Sequence, residues 1–189
     1  MMFFTFVLFM VIQIFNIKDI IADDQFYTVN ITRDFFKPYT NNLIKSTDVL
    51  TKDTYISFIE SMDSDNALTI LKANISIKDI QIWDSKTKNA MNNLCNSSYP
   101  AGSIEENVSK IVSATVLGHL ECPVSKGTYQ TVLYKLDQQT LHFNKPIPCG
   151  DYVMDVTLDT ADFKRVFDFT FSWTIPLAMN CEKDPSIIK

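Results

Sequence analysis

The chain has 189 residues and a formal net charge of −5, with 46% hydrophobic and 21% charged residues. This length suits one domain with a substantial core, and the composition is unlike that of a disordered chain or a membrane bundle. Only Arg33 and Arg165 carry guanidinium groups, and there is no basic cluster. Because phosphate binding needs concentrated positive charge, nucleic acid is excluded as an expected partner.

The N-terminus carries a nearly unbroken apolar run over residues 3–15. A helix needs about 20 residues to span a bilayer, so this run has the length of a signal-peptide core instead. The chain then turns polar, and Ala22 offers a small residue before a cleavage site. We therefore expect a signal peptide over residues 1–22 and a single domain over residues 23–189, with an uncleaved anchor as the alternative.

The cysteines and the Asn-X-Ser/Thr sequons also indicate export. An even number of cysteines in an exported chain predicts disulfides, and sequons predict glycosylation. The cysteines are Cys95, Cys122, Cys149 and Cys181. The candidate glycosylation sites are Asn30, Asn74, Asn96 and Asn107. The expected location is extracellular.

Alternation of apolar and polar residues dominates the chain and predicts strands. Short strands are predicted over residues 27–32, 54–61 and 128–136. A long strand is predicted over residues 67–83, with a β-bulge near Lys78 and Asp79, where the apolar parity flips.

Residues 151–158 and 163–175 alternate most clearly and predict a hairpin with one apolar and one polar face. The apolar face of its second strand is rich in phenylalanine.

One helix is predicted in the middle of the chain. Ser103 and Glu106 form a capping box, and apolar residues follow at helical spacing. Asn107 lies at the edge of that apolar stripe. A short helical turn is also predicted over residues 88–93. The expected fold is mostly β, an antiparallel two-sheet β-sandwich or β-cup with one short helical crossover, stabilised by disulfides.

The hairpin suggests how the cysteines pair. Cys149 precedes its first strand and Cys181 follows its second, and those two ends of an antiparallel pair lie side by side. That leaves Cys95 to pair with Cys122, although the sequence alone permits the other two pairings.

Signs of catalysis and of metal binding are weak. His119 and His142 are the two histidines, and there is no G-x-S-x-G nucleophile motif beside them. His142 is predicted to be a loop histidine and His119 a structural one. No C-x-x-C or H-E-x-x-H spacing predicts a metal site. We expect no enzyme activity, cofactor or metal. A hydrolase is the remaining alternative, and it needs a serine and an acid beside one of the two histidines.

The segments CPVSKGTYQ and PIPCGDYVMDV, followed by a final aromatic strand, resemble the ganglioside activator-like, ML lipid-recognition family. The pattern is closest to that of the insect chemosensory CheB proteins. The positions that carry the resemblance are Cys122, Pro123, Gly127, Thr128, Tyr129, Gly150, Asp151 and Tyr152. The resemblance covers roughly residues 90 to 176. It favours a Cys95–Cys122 disulfide and implies a β-cup that holds a lipid, a glycolipid or a cuticular hydrocarbon.

The expected function is therefore that of a secreted, non-enzymatic binding protein for a lipid or another apolar small ligand, such as a pheromone carrier. A transient contact with a membrane surface or a receptor is a further expectation. The candidate cavity residues are Ile75, Ile77, Leu133, Met154, Val156, Phe167, Phe169 and Phe171. The alternative is a secreted glycoprotein with a filled core that acts through protein–protein interaction.

Overall fold

The computed structural model describes residues 24–39, 44–46, 54–65, 67–85, 91, 93–95, 98–118, 120–132, 135–160, 162, 164–177, 179 and 181. Within them, nine strands form two antiparallel sheets, and one helix, α1 (Ile104–Val116), precedes the sixth strand. The strands are β1 (Gln25–Pro38), β2 (Ile44–Ser46), β3 (Thr54–Phe58), β4 (Thr69–Ile77), β5 (Ile80–Asp84), β6 (Gly127–Val132), β7 (Lys135–Phe143), β8 (Gly150–Asp159) and β9 (Arg165–Ile175).

The larger sheet has six strands in the order β5-β4-β8-β9-β1-β7, and the smaller has the order β2-β3-β6. Apolar side chains from both sheets and from α1 belong to one core cluster. This is the disulfide-stabilised β-sandwich predicted from the alternation. We call the buried face of the larger sheet its inner face and the opposite face, which carries Asn30 and Asp155, its outer face.

The predicted long strand over residues 67–83 is wrong: the structure has a hairpin there. β4 ends at Ile77, Lys78 and Asp79 form the turn, and β5 runs back beside β4. Both turn residues have positive φ values, 47° and 65°. Such a turn matches the twist of the two strands, and it normally carries Asn-Gly or a similar pair. The apolar parity changes because the chain reverses, and the pairing of β4 with β5 also shifts by one residue between Ile75 and Ser76.

Three other predicted strands differ in extent, and one of them, predicted over residues 54–61, is β3, which ends at Phe58. β1 runs from Gln25 to Pro38, well beyond the predicted residues 27–32. The predicted strand over residues 128–136 corresponds to β6, which ends at Val132, and to the start of β7. His142 lies in β7, so its predicted loop position is wrong.

The capping box at the start of α1 is confirmed. Ser103 Oγ accepts the Glu106 backbone N–H at 3.1 Å, and Glu106 Oε2 accepts the Gly102 N–H at 2.7 Å. The first contact satisfies a donor that the first turn of a helix leaves unpaired, and the second satisfies the N–H of the residue before the N-cap. The predicted turn over residues 88–93 falls mostly outside the described residues.

The two expected disulfides are confirmed. Cys95 pairs with Cys122 and Cys149 with Cys181, at Cα–Cα distances of 5.5 and 5.3 Å. The first joins the segment before α1 to the segment after it. The second joins the start of β8 to the segment that follows β9, as the hairpin geometry predicts.

Candidate functional site

The predicted cavity residues that the structure describes share the inner face of the larger sheet. Ile75 of β4, Met154 of β8 and Phe171 of β9 lie side by side across three strands, and Val156 is paired with Phe169 in the next row. The described members of the set are Ile75, Ile77, Met154, Val156, Phe167, Phe169 and Phe171. Leu133 lies outside the described residues.

These seven side chains are closely packed, because each exposes 6% of its surface or less. A side chain that lines a hollow wide enough for water exposes surface to that hollow. The rings of Phe167, Phe169 and Phe171 contact one another in sequence along β9, and Phe36 of β1 stacks on Phe169 with centroids 5.2 Å apart. This part of the inner face is therefore a closed wall of the core.

The same inner face carries two buried tryptophans. Trp83 of β5 is paired with Ile75, and Trp173 of β9 is paired with Tyr152. The Nε1 atoms of both indoles are buried and have no hydrogen-bond acceptor among the described residues. A buried donor without an acceptor costs about 1–3 kcal/mol. Sequence reasoning missed these two residues, although they are the chain's two tryptophans.

Tyr152 shows how a polar group on this face is normally satisfied. Its ring stacks on Trp173 with centroids 5.3 Å apart, and its hydroxyl donates to the Pro148 carbonyl. Burial raises the pKa of Tyr152, and nearby Tyr27 raises it further. The phenol therefore stays neutral at physiological pH. The chain supplies an acceptor for its hydroxyl, whereas the described residues supply none for the two indole N–H groups.

The outer face carries an open groove of about 610 Å³ at the point where β1 and β9 separate. The β1–β9 pairing begins at Thr32 and Ser172, whereas the β8–β9 pairing continues to Gly150 and Ile175. Thr28 and Asn30 lie on the β1 side of the resulting gap. None of the described cavity candidates lines this groove.

The opposite side of the groove is formed by β8, β9 and the segment after β9. Thr174 Oγ1 donates to Asp151 Oδ1 at 2.7 Å. Pro176 and Met179 add apolar surface, in a turn closed by the Met179 N–H to Pro176 carbonyl bond. The Cys149–Cys181 disulfide holds this segment near the start of β8.

His142 lies in a charged cluster rather than in a catalytic triad. Its ring stacks on Phe26 at 4.6 Å, and its Nε2 lies 3.1 Å from Asp24 Oδ1 without forming a hydrogen bond. Its Nδ1 is 3.9 Å from Glu106 Oε2. No serine is among the described residues that make these contacts with the ring. His119 lies outside the described residues.

The sequons lie in different environments. Asn30 is exposed on β1, Asn74 is half-buried on β4, and Asn96 lies outside the described residues. Asn107 is only 3% exposed, and its Nδ2 donates to the carbonyls of Ser103 and His142. A glycan replaces one of these amide hydrogens, so the expected modification at Asn107 does not fit the folded chain.

The described residues contain neither a metal-binding cluster nor a membrane-spanning helix. No group of three or more histidine, cysteine or acidic side chains is placed to hold a metal ion. In the same part of the chain, no helix has both the length and the hydrophobicity needed to cross a bilayer. No family model and no curated protein matches the chain.

Proposed function

We propose that the protein is an exported, non-enzymatic carrier of a lipid-like ligand that has a polar, hydrogen-bond-accepting group. The observation that carries this proposal is the pair of buried indole N–H groups of Trp83 and Trp173. A core filled only by its own side chains gains nothing from donors that lack acceptors. A ligand carbonyl, ester or carboxylate supplies such an acceptor, whereas a plain hydrocarbon does not.

The surroundings of the two indoles suit an apolar ligand. They lie on an inner face made of aliphatic and aromatic side chains, and ligand sites are typically apolar with few polar groups. Burial of an apolar ligand contributes about 25 cal/mol per Å² removed from water. Each indole is itself only 5% exposed, so the proposed ligand enters by displacing the side chains packed around it.

Export rests on two features of the chain. Its two disulfides are typical of proteins from oxidising compartments. The apolar run at residues 3–15 has the length of a signal-peptide core. The resemblance to the ML lipid-recognition family and to chemosensory CheB proteins agrees with an extracellular carrier, and glycosylation at Asn30 and Asn74 is part of the same proposal.

The second candidate is an exported glycoprotein that acts through its surface. It is favoured by the tight packing of the seven described cavity candidates. In that case the two indole donors are satisfied by buried water.

Native mass spectrometry of the secreted protein, with analysis of its organic extract, separates the two candidates. The carrier retains a lipid in stoichiometric amount, or takes up a fluorescent fatty acid after extraction. Protein that retains no lipid and refuses the fatty acid rejects the carrier and favours the surface-acting glycoprotein.

The polar end of the ligand is tested with W83F and W173F, which keep an aromatic ring and remove the N–H. Loss of one hydrogen bond of about 1 kcal/mol weakens binding about fivefold. We expect that loss for hexadecanoic acid in at least one variant and unchanged binding of hexadecane, the matched ligand without an acceptor. Equal effects on both ligands contradict the hydrogen-bonding role.

A further inference from the structure

A group attached covalently to the chain can occupy the outer-face groove. Asn30 and Thr32, the first and last residues of one sequon, both line it. We propose that the groove seats the first N-acetylglucosamine of a glycan attached to Asn30. This inference rests on the export that the proposed function includes.

The orientation of the Asn30 amide supports this assignment. Its Oδ1 accepts the backbone N–H of Gln138 at 2.9 Å, and Gln138 belongs to β7. The strand β7 flanks β1 on one side, and β9 flanks it on the other. Because an amide is planar, fixing its oxygen toward β7 turns Nδ2, the atom that carries the sugar, away from β7. The groove lies on that side, between β1 and β9.

The groove also offers the chemistry that a pyranose ring needs. Hydroxyls of Thr28, Ser172 and Thr174 lie along it, and Asp151 has a second carboxylate oxygen besides the one that accepts the Thr174 hydroxyl. Pro176 and Met179 present apolar surface to the C–H groups of a sugar. A pyranose has both hydroxyls and C–H faces, so the mixed lining matches it.

The modification itself is a glycosyl transfer. A bond forms between Asn30 Nδ2 and the anomeric carbon of N-acetylglucosamine. The bond between that carbon and the diphosphate of a lipid-linked oligosaccharide donor breaks, and the lipid diphosphate leaves while the amide loses one proton. The transfer takes place on the unfolded chain, and folding then brings the sugar against β9.

The seated sugar covers backbone that lacks a strand partner. Beyond Ser172, no pairing with β1 is present along the described part of β9. In residues 173–175, the backbone amides that point toward β1 therefore face the groove. Amide exchange there reports whether the sugar is seated, because protection follows local opening and solvent access.

The experiment uses the full chain secreted from eukaryotic cells and trimmed to one N-acetylglucosamine per site. T32V abolishes the Asn30 sequon but keeps Asn30 and its bond to Gln138, and T32S keeps the sequon. S76A removes the Asn74 sequon on β4, away from the groove, as the matched control. Site occupancy comes from peptide mass spectrometry, and amide exchange is measured over residues 172–175.

We expect occupancy of Asn30, and exchange at least about fivefold faster in T32V than in the parent, T32S or S76A. An unoccupied Asn30, or an occupied one whose loss leaves exchange unchanged, overturns the inference. Lipid retention is measured on the same samples. A protein that is glycosylated at Asn30 but retains no lipid rejects the proposed carrier function and leaves the seated sugar standing. A protein that retains lipid but has no sugar at Asn30 rejects the seated sugar and leaves the carrier function standing.

Discussion

The side chain of Asn107 in α1 bonds both backbone groups of His142 in β7. Its Oδ1 accepts the His142 N–H at 3.0 Å, and its Nδ2 donates to the His142 carbonyl. The strand β7 is an edge of the larger sheet, where outward backbone groups lack a strand partner. Asn107 thus takes the place of a neighbouring strand and joins the helix to the sheet edge.

Replacement of Asn107 with alanine removes both bonds to His142 and the bond to the Ser103 carbonyl, and it leaves the two partly buried backbone groups of His142 unpaired. We expect N107A to lower the free energy of unfolding by at least about 2 kcal/mol, since each of the two unpaired groups costs about 1–3 kcal/mol. Urea denaturation measures the loss. N107D, which keeps an acceptor for the His142 N–H, retains part of the stability. A loss below about 0.5 kcal/mol in N107A contradicts the bridging role.

The same contacts predict that secreted, folded protein carries no glycan at Asn107. Peptide mass spectrometry after enzymatic deglycosylation in heavy-oxygen water marks each asparagine that carried a sugar. We expect the mark at Asn30 and an unmodified amide at Asn107. A modified Asn107 in folded protein is incompatible with its two amide donors being bonded to main-chain carbonyls.

The Lys78–Asp79 turn gives a direct test of the hairpin. Asp79 has φ 65°, a region that costs most residues about 1–2 kcal/mol and costs glycine little. We expect D79G to raise the free energy of unfolding by up to about 1 kcal/mol. D79V should lower it by about 1–2 kcal/mol, because a β-branched residue fits this region worst.

Urea denaturation of the two variants distinguishes the hairpin from a continuous strand. In a continuous strand, glycine weakens the pairing and valine strengthens it, so the order of stability is reversed. The parent protein lies between the two variants if the hairpin is present.

This turn also shows where sequence reasoning stopped. Lys78-Asp79 lacks the Asn-Gly or Asp-Gly pair that normally indicates a two-residue turn. The change in apolar parity is therefore compatible in the sequence with either a bulge in one strand or a reversal of the chain. The hairpin of β8 and β9, the capping box at Ser103 and the two disulfides were predictable because each has a local pattern. Alternation along β9 could not reveal that Phe167, Phe169 and Phe171 form a closed wall, since a hollow and a filled core share one pattern.

The outer groove was beyond the sequence for a different reason. It exists because β1 and β9 stop pairing at Thr32 and Ser172, residues far apart in the chain. Nothing local in either segment marks that separation. Each sequon was visible, but only the fold distinguishes exposed Asn30 from buried Asn107.

The Cys95–Cys122 disulfide is partly buried against the core and should contribute to stability. It closes a chain separation of 27 residues that includes α1. Loop-closure entropy predicts about 3–4 kcal/mol for a loop of this size. We expect the double variant C95A/C122A to lose up to this amount in urea denaturation under non-reducing conditions. A loss below about 1 kcal/mol indicates that the unfolded chain is already restricted in this region.

Glu106 makes stability depend on pH at the start of α1. Burial alone raises the pKa of this carboxyl, but the Lys110 ammonium, the Gly102 N–H and the charge of nearby His142 together lower it below its usual value. Lys110 Nζ lies 2.8 Å from Glu106 Oε1. Because the folded-state pKa lies below the unfolded one, the carboxylate stabilises the fold at neutral pH. That contribution is lost as the pH falls through the lowered pKa.

The variant E106Q keeps an oxygen that accepts the Gly102 N–H but has no charge to titrate. We expect it to be less stable than the parent at pH 7 and to approach the parent as the pH falls below about 4, the usual range for an unfolded glutamate. E105Q, which removes a charge from the same helical turn, is the matched control. Urea denaturation between pH 7 and pH 3 gives the difference between parent and variant at each pH. A difference that stays constant over this range, or that equals the one for E105Q, contradicts the role of Glu106.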